Sequence, residues 1–260
     1  MLLSWLVAAL LGLVVGSFLN VVIYRLPRNE SIVAPGSYCP ECGVRLVPQD
    51  LIPVYSYLAL KGKCRYCREP ISWEYPLVEM VNALLYLLLF SQFRFQPQFW
   101  IFAAFFSGLV VLSFIDFHHG ILPNVITIPG ILVGLAWGGF NDLWHAFGRY
   151  PISLLYNLGT YVASFSFLNA ALGVLVGGGI VLLVVILSKG GMGLGDVKLN
   201  AMVGAFLGWQ AATYNLFLAA VLGSVVGIFL MATGKKGRKD AIPFGPYLAL
   251  GAIILTLYRG

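Results

Sequence analysis

Long apolar runs separated by short polar breaks dominate the chain and set its predicted elements. They cover about 1–24, 77–91, 99–115, 121–139, 167–187, 197–209, 211–232 and 243–258. Strict polar and apolar alternation is missing, so a closed barrel does not fit. The helix is the other structure that satisfies every backbone group inside lipid, and about 20 apolar residues of it cross ~30 Å of hydrocarbon. The pattern therefore predicts an all-α polytopic membrane protein with about eight transmembrane helices. The run at 197–209 is short for a full crossing, and 140–166 has room for an interfacial or re-entrant segment. The opening run reads as a retained first helix. No basic segment precedes it, and Gly16-Ser17-Phe18-Leu19-Asn20 lacks a clear small-x-small cleavage site.

Composition narrows the class further. The chain is 60% hydrophobic and 10% charged, with a mean hydropathy of +0.89, whereas a soluble domain is roughly 25% charged. A soluble globule is excluded. Charge then orients the spans, because Lys and Arg collect in cytoplasmic loops. If the long polar loop 25–76 is cytoplasmic, eight alternating helices put the loops near 116–120, 188–196 and 233–242 on the same side. Every Lys and Arg except Arg94, Arg149 and Arg259 then falls inside, which places the N-terminus outside. This bias accounts for the formal charge of +6, so no nucleic-acid partner is required and the bilayer is the partner implied. The run Lys235-Lys236-Gly237-Arg238-Lys239 reads as a positive-inside anchor or a patch for anionic head groups. No internal repeat is apparent.

All four cysteines lie in the long loop, as Cys39-Pro40-Glu41-Cys42 and Cys64-Arg65-Tyr66-Cys67. Two C-x-x-C pairs supply four thiolates that can close tetrahedrally on one Zn²⁺, and the reducing cytoplasm disfavours disulfides. Gly43 and Gly62 would suit the tight turns. Four protein ligands leave no open position, so the zinc is expected to be structural, holding together a loop too small for its own core. A redox pair or unliganded thiols are the competing readings. The predicted organisation is a first helix (1–24), a cytoplasmic four-cysteine zinc-binding domain (25–76) and a transmembrane domain (77–260).

Few carboxylates remain near the membrane: Glu79, Asp116, Asp142 and Asp196. Asp142 belongs to an outer loop. An ionisable group in a span is costly and marks function. Asp116 closes one apolar run and Asp196 opens another after Gly191-Met192-Gly193-Leu194-Gly195, both at cytoplasmic helix ends in the predicted topology. Two carboxyls in contact share a proton, so one serves as base toward water while the other polarises a scissile carbonyl. Glycines before Asp196 permit close approach of a substrate backbone. Lys198 either snorkels to the interface or orients an aspartate or a carbonyl. His118 and His119 read as interfacial residues, with a metal or proton-relay role as the alternative.

These residues resemble the prepilin peptidase family, also called type IV leader peptidases, over nearly the whole chain. The matching segments are Gly16-Ser17-Phe18-Leu19-Asn20 through Pro27, the paired cysteine loop, and Tyr75-Pro76-Leu77-Val78-Glu79. Asp116 lies seven residues before Pro123 of a Leu-Pro pair. Gly193-Leu194-Gly195-Asp196-Val197-Lys198-Leu199 resembles the family's G-x-G-D-x-K-L motif, and Pro243-Phe244-Gly245-Pro246 its closing segment. Asn124 stands where many members have aspartate. The resemblance implies an aspartic endopeptidase with Asp116 and Asp196 as its catalytic pair. Its implied substrates are type IV prepilins and the pseudopilins of type II secretion, cut at the bacterial inner membrane. The resemblance also implies N-methylation of the new terminus with S-adenosylmethionine, for which the sequence reveals no binding motif; Glu79 is a candidate for holding the cationic donor or an amine, against pairing with a loop Arg or Lys. A transporter using the two aspartates as cation or proton sites, and a scaffold with structural zinc, are the alternatives.

Overall fold

A computed structural model describes residues 2–146, 166–188, 192–235, 237 and 242–259. The segment expected near 140–166 lies largely outside the described residues, as do Arg149, Lys189, Gly191, Lys236, Arg238 and Lys239. The chain is all-helical among these residues: α1 (Leu2–Arg25), a short α2 (Tyr55–Ala59), α3 (Glu74–Phe93), α4 (Pro97–His119), α5 (Asn124–Ala146), α6 (Phe167–Leu187), α7 (Leu194–Ala232) and α8 (Gly245–Arg259). Six of them are long and apolar enough to cross a membrane, while α8 is shorter. Outward-facing Leu6, Leu10, Val14 and Phe18 of α1 are exposed, as a surface solvated by lipid requires. The termini follow local chemistry. Ser166 caps α6 by accepting the Asn169 N–H, and Gly120, at φ +63°, closes α4 with its N–H on the Asp116 carbonyl at 2.8 Å.

The chain divides into two compact units, Met1–Val111 and Leu112–Gly260. In the first, α1 lies directly on α3. A side-chain carbon added at Gly12 would sit 2.6 Å from the Ala83 Cα, and one at Gly16 would sit 2.7 Å from the Glu79 Cα. Small residues let membrane helices approach this closely, and interhelical hydrogen bonds then hold them. Asn82 donates to the Gly12 carbonyl at 2.8 Å and accepts from Ser107 at 3.1 Å. The polar stretch between α1 and α3 has little regular structure, and Arg25 organises its start. The guanidinium is buried and donates to the carbonyls of Ser31, Pro35 and Gly36.

In the second unit, α7 accounts for two of the predicted runs at once. It is interrupted at Gly208, where φ is 80° and ψ is 171°. Asn200 and Asn215 would stand ~22 Å apart along a straight helix, yet Asn215 Nδ2 donates to Asn200 Oδ1 at 3.1 Å. The two halves therefore fold back on one another, so the short run at 197–209 is an element in its own right. Asn200 also donates to the Gly177 carbonyl of α6 at 2.9 Å. Gly173 of α6 and Gly204 of α7 meet backbone to backbone, with no room for a side chain on either.

The reversal needs glycine twice over. That combination of φ and ψ is essentially closed to other residues, and a Cβ would lie 2.7 Å from the Asn169 amide. Gly208→Ala is expected to lower stability by about 1–3 kcal/mol, read as a fall in thermal unfolding temperature in detergent. Gly179→Ala, at a helical site with no neighbouring atom within 4 Å, should leave that temperature unchanged or raise it. Equal unfolding temperatures for the two variants would contradict the reversal.

Candidate active site and metal centre

Asp116 lies in the last turn of α4 and Asp196 in the first turn of α7, and both side chains are buried, at 6% and 7% exposure. A carboxylate removed from water needs hydrogen-bond donors, and helix starts supply them because their first N–H groups have no partner within the helix. The Gly245 N–H, at the start of α8, donates to Asp116 Oδ2 at 2.9 Å. The Gly193 N–H, at the N-cap of α7, donates to Asp196 Oδ2 at 3.1 Å. The latter is the half of a capping box that a glycine N-cap can make. A Cβ at Gly245 would lie 2.7 Å from Asp116 Oδ2, so the backbone reaches the carboxyl because the residue has no side chain.

The charge of Asp116 acts on Asp196, so the two groups are electrostatic neighbours. Among the described residues neither forms an ion pair. Lys198 reaches instead to Asn124 Oδ1, at 2.7 Å, tying the start of α7 to that of α5. Gly195 packs under Leu122, where an added Cβ would lie 2.9 Å from the Leu122 Cβ, so the Leu-Pro segment braces the turn that carries Asp196. His118 and His119 are exposed beyond Asp116. Asp142 accepts the Phe167 N–H at 2.8 Å, a local contact at the start of α6. The Gly245 donor was not visible in the sequence. The signal was its place between two prolines next to a helix start, which marks a constrained turn but names no partner.

The cysteines converge. The four sulfurs lie within 4.8 Å of one another, and Cys39 Sγ is 3.9 Å from Cys67 Sγ. A zinc–sulfur bond of about 2.3 Å implies ~3.8 Å between the sulfurs of a tetrahedron, so the donor set fits one such ion. Each C-x-x-C pair is built alike. Cys39 N–H bonds the Val44 carbonyl and Gly43 N–H the Cys39 carbonyl; Cys64 N–H bonds the Glu69 carbonyl and Arg68 N–H the Cys64 carbonyl. The N–H groups of Cys42 and Glu41 aim at the Cys39 sulfur, and those of Cys67 and Tyr66 at the Cys64 sulfur. The Cys67 and Tyr66 donors pull the Cys64 thiol down to about 7, while burial holds Cys39 above the ordinary thiol range.

The loop is thus a duplicated knuckle with an offset of 25 residues, one pair at 39 and 42 and the other at 64 and 67. The position equivalent to Gly43, at φ +70°, is Arg68, at φ +65°, rather than Gly62. Gly62 also has positive φ, +69°, but precedes the second knuckle. Beside the centre, Asp50 accepts from Arg65 at 2.6 Å and from Tyr66 at 3.1 Å. Burial alone would raise the Asp50 carboxyl, but the bonds from Arg65, the Val47 N–H and Tyr66 hold it below the usual carboxylate range.

Glu79 is buried on α3 and accepts the Val54 N–H at 2.7 Å. Among the described residues Glu79 has no ion pair.

Comparison with known proteins shows the family of the chain. A family profile described as Bacterial Peptidase A24 N-terminal domain matches residues 10–93, and one described as Type IV leader peptidase family matches residues 103–228. A protein of Pseudomonas putida named prepilin leader peptidase/N-methyltransferase is 34% identical over 96% of this chain and 89% of its own length. A protein of the same name from Myxococcus xanthus is 40% identical over 88% of this chain and 64% of its own length. Another from Burkholderia pseudomallei is 35% identical over 97% and 84%. No solved structure matches. The match runs through both aspartate-bearing helices and the cysteine loop, and the chain belongs to the type IV leader peptidase family.

Proposed function

We propose that the chain is a membrane-embedded aspartic endopeptidase that removes the short basic leader from type IV prepilins and pseudopilins. We place its action at the cytoplasmic face of the bacterial inner membrane and give it a second activity, methylation of the new N-terminus. One observation carries the peptidase reading: two aspartates from separate helices are both buried, Asp196 lies within reach of the Asp116 charge, and each carboxyl is held by the N–H of a helix start. The names of the relatives support the substrate and the second activity. The bias of Lys and Arg supports a cytoplasmic cysteine loop and an external N-terminus.

The geometry suits direct attack by water. Backbone donors fix Oδ2 of Asp116 and of Asp196, which leaves the opposite oxygen of each for water and for a shared proton. One carboxylate takes a proton from water as the oxygen attacks the scissile carbonyl carbon. The other carboxyl gives its proton to the carbonyl oxygen. Collapse of the resulting diol breaks the carbon–nitrogen bond and returns a proton to the leaving amine. Cys39, Cys42, Cys64 and Cys67 would hold a zinc ion, and four thiolate ligands would give it a structural rather than a catalytic role. S-adenosylmethionine supplies an electrophilic methyl group for the second activity.

Asp116→Asn and Asp196→Asn should each lower leader removal by roughly 10²–10⁴-fold, followed by mass on a purified prepilin in detergent, with unfolding temperatures near that of the native chain. Full cleavage in either variant would reject the pair. Cys39→Ser with Cys42→Ser should remove bound zinc, read by elemental analysis, and lower the unfolding temperature; a metal-free native chain of equal stability would reject the centre. Wild-type protein given prepilin and labelled S-adenosylmethionine should release a labelled mature pilin, and an unlabelled product would reject methylation.

A further inference from the structure

The first unit holds a cavity of about 400 Å³ among the end of α1, the start of α3 and the cysteine-bearing segment. That volume falls within the ~300–1,000 Å³ of small-molecule sites. Tyr24, Tyr38, Tyr57 and Tyr75 line it, and Glu79 contributes a carboxylate that is 7% exposed. The close approach of α1 to α3 at Gly16 and Glu79 brings that carboxylate beneath Ser17, whose side chain hydrogen-bonds it alongside the Val54 N–H. These neutral donors fix its position but bring no positive charge.

The cavity's own cations are committed elsewhere. Arg25 is spent on three backbone carbonyls, and Arg65 is paired with Asp50. A buried carboxylate without a cation is costly, and aromatic rings beside it favour a positively charged ligand with a flat ring system. A sulfonium nucleoside has both features. We propose that this cavity binds S-adenosylmethionine, with Glu79 as the counter-charge for its cationic end and the tyrosines as walls for its adenosine. The proposal rests on the methyltransferase reading above and gives it a place in the chain. In the reaction served, the amine nitrogen of the cleaved pilin bonds to the methyl carbon as the carbon–sulfur bond breaks. The electron pair leaves on sulfur as the neutral thioether, and the amine proton passes to water. Cys39 and Cys64 also line the cavity, so the metal centre forms part of its wall.

Donor binding is tested on the full chain in detergent with no prepilin present, and prepilin cleavage and leader-peptide binding are measured in parallel on the same protein. Ultraviolet cross-linking of methyl-labelled S-adenosylmethionine to the wild-type protein, followed by peptide mapping, should place the label within residues 17–79. Titration should show Glu79→Gln weakening donor binding by about tenfold or more, with Glu79→Asp recovering part of the loss. Label confined to residues 112–260, or equal affinity in Glu79→Gln, would overturn the site while leaving methyltransferase activity intact as a reading. A wild-type chain that cleaves prepilin yet binds no donor would overturn the site and the methyltransferase reading together, and would leave the peptidase standing. If Glu79→Gln weakens only a leader peptide and not the donor, the cavity belongs to the substrate and the proposal fails. The mapping on wild-type protein decides the question even if the variants do not fold.

Discussion

Lipid cannot solvate a carboxylate, and the arrangement of the second unit depends on how that constraint is met. Asp116 and Asp196 are each buried and each receive a backbone N–H from a helix start, Gly245 for one and Gly193 for the other. Helix starts have unpaired donors and a favourable dipole for negative charge, so they replace water without adding a fixed cation. That choice matters chemically. A Lys or Arg paired with either group would neutralise it, whereas Lys198 is turned to Asn124 and leaves both acids free of ion pairs among the described residues.

Placing helix starts beside the acids requires short, reversing elements, and small residues make those possible. The two halves of α7 fold back at Gly208, and Asn200 and Asn215 bridge them while Asn200 also reaches α6. Gly173 and Gly204 bring α6 and α7 into backbone contact. Without water to drive association, van der Waals packing and buried amides hold such helices. The first unit uses the same devices, with Gly12 and Gly16 of α1 packed against α3 and Asn82 of α3 bonding across the contact.

The helices were legible because an apolar run in lipid has one outcome, and all eight runs are found as helical segments. What the runs did not reveal was connection: 197–209 and 211–232 read as separate spans of uncertain kind, and only the bond between Asn200 and Asn215 discloses the reversal. The aspartates and cysteines stood out as costly or clustered residues. Their partners did not, because the Gly245 and Gly193 donors are backbone groups, which leave no side-chain signature. The duplicated knuckle escaped for a related reason. Its two copies share hydrogen bonds and dihedral angles, while the turn residue is Gly43 in one and Arg68 in the other. Glu79 offered two readings from the sequence, and the structure shows it accepting the Val54 N–H with no ion pair among the described residues.

Direct activation of water by two carboxyls is the central claim. It is tested most directly by an experimental structure of the protein with a leader peptide whose scissile amide is replaced by a hydroxyethylene group. The account predicts that the hydroxyl lies within hydrogen-bond distance of both Asp116 and Asp196, with Gly245 and Gly193 still donating to the outer oxygens. A hydroxyl bound by only one of the two aspartates, or by neither, would contradict it.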